Sequence, residues 1–168
     1  CKRLNYRESE AGRLPTGMAY HLPTEAQWEY ACRAGTTTAY YWGAAIDSSN
    51  ANYAIGQTFD IGQYAANPWG FFDMHGNVWE WVTDVYGNYP FNDETDPIGI
   101  TTNPTSGERV VRGGAYNSQP SSVRSTYRNK APRNSFGIGY NQVGLRLART
   151  DVSEDWFKVD VLANAQPV

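Results

Sequence analysis

Hydrophobic and polar residues follow one another along most of this chain without a sustained period, and only a few stretches carry a pattern clean enough to name an element. The opening CKRLNYRESEAG reads as the tail of a helix, stopped by Gly12 and Pro15. A second helix is predicted over 25–34. Thr24 and Gln27 are spaced as a capping box, in which the Thr24 hydroxyl accepts from the Gln27 amide and the Gln27 side chain reaches back. Pro23 lies just outside this helix and Gly35 just past its end. Trp28, Ala31 and Cys32 fall on one face at helical spacing, which marks them as core.

From Thr36 to Phe72 glycine, asparagine and aromatic residues alternate with turn signals, so compact loops are expected. Around Gly76–Val82 the period becomes two, predicting a strand with Trp79 and Trp81 as core anchors on one face. Residues 84–108, with Pro90, Pro97, Pro104 and Gly107, read as a long surface loop. Arg109–Arg112 reads as another strand, stopped by Gly113-Gly114. Residues 115–142 again lack a period, and Val143–Leu147 reads as a final core strand. Beyond Asp151, Trp156-Phe157 and 159–162 could add an edge strand or dock on a partner, and 163–168 is expected to fray.

Composition narrows the class. In 168 residues only 18% are charged while 14% are aromatic, with 16 Gly and 9 Pro, which suits one domain held by aromatic anchors between turns. A formal charge of −3 supports neither nucleic-acid nor membrane binding. No apolar stretch approaches the roughly 18 residues of a membrane span. Cys1 and Cys32 do not make a disulfide framework, and Cys32 is expected to be a buried, small apolar residue.

Three blocks carry a specific resemblance: Leu22-Pro23-Thr24-Glu25-Ala26-Gln27-Trp28-Glu29-Tyr30-Ala31-Cys32-Arg33-Ala34-Gly35, then Asp73-Met74-His75-Gly76-Asn77-Val78-Trp79-Glu80-Trp81, then Arg109–Gly114 closed by Gly144-Leu145-Arg146-Leu147-Ala148. In this order the chain resembles the formylglycine-generating enzyme family, also called the sulfatase-modifying factor family. The resemblance implies an α+β, C-type-lectin-like fold with short helices, few strands and much loop. It casts residues 1–150 as the C-terminal portion of such a domain and 151–168 as an extension. Family domains begin well before the position of Cys1, so a complementary N-terminal segment or another protein chain is expected as partner, in an extracellular or periplasmic setting.

Members oxidise a sulfatase cysteine to formylglycine with copper held by two thiolates, soft ligands suited to Cu(I). Without a gap from Gly113-Gly114 to Gly144, those positions fall on Ser118 and Val123, so copper is not expected. The resemblance also places Cys1 and Cys32 at family disulfide positions, with Leu147 and Arg128 in place of their partners. A structural calcium ion is implied at Asp73, Gly76, Val78 and Glu80, hard oxygen donors suited to calcium. A second family calcium site, matched by Asn52-Tyr53, is not expected. His75 is read as a packed, hydrogen-bonded residue. His21 has no partner at metal-ligand spacing. Glu25, Glu29 and Glu80, beside aromatic residues, are explained by capping and core support as well as by acid–base work.

The stretch 115–142 is rich in Tyr, Ser, Asn and Gly and has no acidic residue, a composition suited to recognition. The variable proteins of diversity-generating retroelements, relatives in the same fold, bind ligands with this region. Tyr116, Asn117, Ser118, Arg124, Tyr127, Phe136 and Tyr140 are the candidate ligand-binding residues, for a protein or glycan ligand. Arg124, Arg128 and Arg146 are read first as loop-holding groups. The function expected is a noncatalytic binding or structural, assembly domain; the alternative is an oxidoreductase or maturation enzyme with an altered active site.

Overall fold

The computed structural model describes residues 1–89, 95, 97, 107–132 and 142–151. In chain order its elements are α1 (Lys2–Glu10), β1 (Met18–His21), α2 (Glu25–Arg33), β2 (Trp79–Val85), β3 (Glu108–Arg112), a 3-10 turn (Pro120–Val123), β4 (Arg128–Pro132), β5 (Val143–Leu145) and β6 (Ala148–Asp151). They divide into two compact units, Cys1–Leu22 with the chain from Leu147, and Pro23–Arg146. Most of the predicted 84–108 loop and the tail from 152 lie outside the described residues. No described helix is long and apolar enough to cross a membrane.

In the first unit α1 buries no residue, and Asn5 ties it to β1 by accepting from the Tyr20 N–H (2.7 Å) and donating to the Tyr20 carbonyl (3.0 Å). The helix ends before Gly12, whose φ of 65° turns the chain as expected. Strands β1 and β6 pair antiparallel, with Ala19 opposite Thr150 and His21 opposite Ala148. Neither strand is predicted by the sequence, because four residues give period two little room to show itself. Buried His21 sits between the Leu22 carbonyl (2.6 Å) and the Thr150 hydroxyl (2.7 Å), and burial lowers its pKa.

The second unit is built on a mixed sheet of order β4-β3-β2-β5. Strand β2 runs antiparallel to β3 with a bulge between Trp81 and Val85, and parallel to β5; β3 runs antiparallel to β4. The period of two divides the core. Val82 and Val110 face α2 and pack with Trp28, Cys32 and Met74. On the other face Trp79, Val111, Ala115 and Ala131 form a second cluster, joined by half-buried Trp81, Tyr127 and Val143. Helix α2 forms as its sequence dictates. Gln27 N–H donates to Thr24 Oγ1 and Thr24 N–H to Gln27 Oε1, each at 3.1 Å, and the left-handed pair Ala34 and Gly35 (φ 46° and 88°) ends it.

Two expectations for the sheet need correction. The aperiodic stretch 115–142 contains a strand, β4, paired residue by residue from Arg128↔Arg112 to Pro132↔Glu108. The Val143–Leu147 strand is shorter and is no core strand: Leu145 is 61% exposed, and Leu147 lies beyond β5. A parallel partner on one side makes β5 a strand even though its side chains are not buried.

Between Arg33 and Trp79 the described chain holds only two isolated bridges, Tyr40–Gly43 and Asn52–Gly76. Buried polar side chains satisfy the backbone there. Asn77 Oδ1 accepts from the Phe59 N–H (3.1 Å) and from Asn52 Nδ2 (3.3 Å), while Asn77 Nδ2 donates to the Phe59 carbonyl (3.2 Å). Gly76 is obligatory at its bridge, since a Cβ there would lie 2.1 Å from the Asn52 carbonyl oxygen.

Candidate functional site

The loop after β3 is fixed from several sides. Gly113 and Gly114 take φ of 91° and 82°, and a Cβ on Gly114 would stand 2.3 Å from Val123 Cγ1. The Gly113 carbonyl accepts from the Gly76 N–H (2.7 Å), Tyr116 N–H donates to the Asn77 carbonyl (2.8 Å), and the Tyr116 carbonyl accepts from the Ile55 N–H (2.8 Å). The 3-10 turn that follows is held by the Tyr40 hydroxyl, which donates to the Pro120 carbonyl (2.8 Å). Tyr40 in turn stacks on Trp42 with centroids 5.3 Å apart. This aromatic floor comes from the aperiodic run TTTAYYWG, where no spacing signals it.

Behind the turn lies His75, 3% exposed, ringed by Tyr40, Tyr41 and Trp42 at centroid distances of 5.4, 5.2 and 4.9 Å. Its Nδ1 is 2.6 Å from the Val123 carbonyl, which can only accept, so Nδ1 carries the proton. Nε2 is then the acceptor facing the Tyr41 N–H (3.4 Å) and Cys32 Sγ (3.6 Å). Burial pushes the His75 pKa down to about 4 and the Cys32 thiol up to about 12, so the pair stands as neutral imidazole and thiol. Such a thiol is inert. His75 is thus the packed, hydrogen-bonded residue its sequence context suggests, and Cys32 the buried small one.

The candidate ligand-binding residues separate. Tyr116, Asn117, Ser118 and Arg124 share one loop: Asn117 and Arg124 are exposed, Tyr116 and Ser118 half-buried. Ser118 Oγ accepts from the Ala115 N–H (2.9 Å), and Arg124 Nε donates to the Ser121 carbonyl (2.9 Å). Tyr127 does not belong with them. Its ring packs on the second core cluster, 6.0 Å from Trp79, because β4 turns it toward the sheet. Phe136 and Tyr140 lie outside the described residues.

Two further arginines lie in ion pairs that hold α2 to the sheet. Arg128 grips both Glu25 oxygens (2.9 and 2.6 Å) and stacks over Tyr86 and Tyr89. Arg112, fully buried, pairs with Glu29, donates to the Tyr127 and Ser125 carbonyls (2.6 and 2.8 Å) and lies over the Trp28 ring.

Glu80, one of the residues expected at calcium, is also held by an arginine. Arg146 holds its two oxygens at 3.0 and 2.9 Å, and the Trp28 indole N–H donates to one of them at 2.7 Å. Asp73 Oδ2 accepts from the Gly62 N–H (2.7 Å). Calcium takes six to eight oxygens, and of the expected side-chain donors Glu80 faces Arg146 and Asp73 accepts from a backbone amide. Among the described residues no group of three or more His, Cys, Asp or Glu side chains is placed to hold a metal ion.

Comparison with known proteins accords with this geometry. Residues 3–151 match the sulfatase-modifying factor enzyme 1-like domain. The chain is 38% identical over 130 residues to the serine/threonine-protein kinase pkn1 of Chlamydia caviae, covering 76% of this chain but only 21% of the kinase. It is 32% identical over 133 residues to the formylglycine-generating enzyme of Mycobacterium tuberculosis, covering 61% of this chain and 44% of that enzyme. The chain therefore spans less than half the length of these curated relatives. Among solved structures PvdO from Pseudomonas aeruginosa aligns with a TM-score of 0.69 at 27% identity, over 88% of this chain and 57% of PvdO. Treponema denticola variable protein 1 aligns at 0.65 and 25% identity, over 79% of this chain and 48% of its own. With its short helices, curled mixed sheet and loop-built core, the chain belongs to the sulfatase-modifying factor enzyme 1-like family and has its α+β, C-type-lectin-like fold.

Proposed function

We propose that this chain is a noncatalytic binding or assembly domain of its family, presenting the 115–124 loop to a protein or glycan ligand. One observation carries the reading: the two positions matched to copper-binding cysteines hold side chains with structural work and no thiolate. Ser118 Oγ closes its own turn on Ala115, and Val123 is fully buried with Cγ1 in the place a Gly114 side chain would need. The one buried cysteine is a thiol with its pKa at about 12. Relatives named as a kinase and as a formylglycine-generating enzyme both match this region, so membership of the family does not by itself fix one reaction.

The test is incubation of the full chain with Cu(I) and a sulfatase-type Cys-x-Pro-x-Arg peptide. No aldehyde product and no copper uptake are expected; turnover would overturn the proposal. A loop kept for recognition also tolerates change. Replacing Asn117 and Arg124 together by Ala should shift stability by no more than about 0.5 kcal/mol, and a larger loss would assign the loop to folding.

A further inference from the structure

Residues 61–72 include no Asp, Glu, Lys or Arg, and three hydrogen-bonding anchors fold this uncharged run into a closed loop. Asp73 Oδ2 accepts from the Gly62 N–H (2.7 Å) and draws the two ends together. Tyr41 donates its hydroxyl proton to the Ala65 carbonyl. Asn67, 4% exposed, does most. Its Nδ2 donates to the Ala31 and Cys32 carbonyls (2.7 and 3.2 Å), two of those that the last turn of α2 leaves without a helical donor. Its Oδ1 accepts from the Trp69 and Phe71 amides, each at 3.0 Å. Surface loops of this length with joined ends are frequently functional.

This rigid loop holds large apolar groups in water. Ile61 is 85% exposed, Phe72 46% and Trp69 45%, and Tyr30 of α2, 69% exposed, meets Trp69 edge-on with centroids 4.8 Å apart. The Gly62 Cβ position lies 3.9 Å from Phe72, so the two ends of the run meet in a neck. Asp60 and Asp73 adjoin this neck, where Arg146, paired with Glu80, also donates to the Phe72 carbonyl (2.8 Å); neither aspartate forms an ion pair among the described residues.

We propose that this face docks a polypeptide segment with an apolar stretch next to Lys or Arg. Exposed tryptophan and tyrosine are the usual anchors of protein contacts, and a loop already held in place loses little freedom on binding. The two unpaired aspartates at the neck complement an adjoining Lys or Arg. A lipid surface is disfavoured, because interfacial segments carry basic residues toward anionic headgroups, and here the bordering cation, Arg146, is paired with Glu80 while both unpaired charges are negative. The inference rests on residues separate from the 115–124 loop and stands or falls without it.

Two synthetic peptides with the same uncharged Leu/Phe centre, one flanked by Lys and one by Glu, are titrated into the full chain by calorimetry. The Lys-flanked peptide should bind at least about tenfold more tightly. Ile61→Ser and Trp69→Ala should each weaken it by about tenfold, and Asp60→Lys should abolish the preference. Ile61→Ser keeps the test decisive if Trp69→Ala unfolds, since Ile61 is almost wholly in solvent. Equal binding of both peptides overturns the proposal, as does absent binding or affinity untouched by Ile61→Ser. Preference for phosphatidylcholine–phosphatidylserine vesicles would reassign the face to lipid. Self-association abolished by Ile61→Ser would reassign it to a second copy.

Discussion

The four-stranded sheet with α2 and the irregular stretch between Arg33 and Trp79 both bury polar groups but are held by different means. In the sheet, backbone groups satisfy one another along the ladders, and charged side chains pair around it: Arg112 with Glu29, Arg128 with Glu25, Arg146 with Glu80. In the irregular stretch neutral side chains, Asn52, Asn67, Asn77 and His75, hydrogen-bond the backbone that no neighbouring strand pairs. A loop-built core is thus as specified as a sheet, provided each buried backbone group finds a partner. It is specified by single residues and not by a repeating pattern.

Breaking each region tests this difference. The largest effect is expected from Gly76→Ala. A methyl 2.1 Å from the Asn52 carbonyl, at a φ of 86°, cannot be relieved by rotating a side chain, so the chain should fail to fold by circular dichroism. In the sheet, Arg112→Met strips a cation from Glu29 and leaves the Tyr127 and Ser125 carbonyls without their donor. Urea unfolding should show a loss of about 3–5 kcal/mol. A near-neutral result would mean that the ions of the sheet are dispensable.

Acid sharpens the contrast, because one buried group in each region titrates with opposite sign. His75 is pushed from 6.5 down to about 4 by burial, so its contribution is complete above 6.5 and lost as pH falls through 4. Asp84, beneath α2, accepts from the Glu25 N–H (2.7 Å), and burial pushes it from 3.8 up to about 6. Its contribution is complete below 3.8 and lost as pH rises through 6. The two offset one another between pH 4 and 6.5. Asp84→Asn should expose the histidine slope, with stability falling by about 3 kcal/mol over that window where the parent stays nearly level. Equal slopes in both proteins would refute the assignment.

Asn67→Ala comes next, freeing two α2 carbonyls and two loop amides. A loss of about 2 kcal/mol in urea unfolding is expected, with faster amide exchange at Trp69 and Phe71. The smallest effect is expected from chelation. Because Arg146 occupies Glu80, EDTA should leave the melting temperature unchanged, and a fall of several degrees would restore the calcium site.

What was legible followed from local rules. The Thr24–Gln27 capping box and the Ala34-Gly35 stop define α2 from sequence alone, since capping involves residues within one turn. Alternation in β2 places Trp79 and Trp81 on one face, and Gly113-Gly114 marks the end of β3. Strand β4 was hidden because its sequence, Arg128-Asn129-Lys130-Ala131-Pro132, buries only Ala131, while the Arg128 and Lys130 side chains cover Tyr86. In the candidate site, Tyr116, Asn117, Ser118 and Arg124 could be grouped by composition, but Tyr127 could not be told apart from them. Only its place one residue ahead of β4 turns its ring to the core.

The sequence by itself determined the family, helix α2, the central strands and the absence of a thiolate pair at Ser118 and Val123, because each depends on residue identity at short range or on ordered motifs. Tertiary structure alone decided which polar groups are spoken for. That Glu80 pairs with Arg146, and that Trp69 is offered to solvent by the loop Asn67 holds, depends on contacts between residues 36 to 66 positions apart. Hydrogen-bond partners at that separation are set by how the chain packs, and no local pattern encodes them.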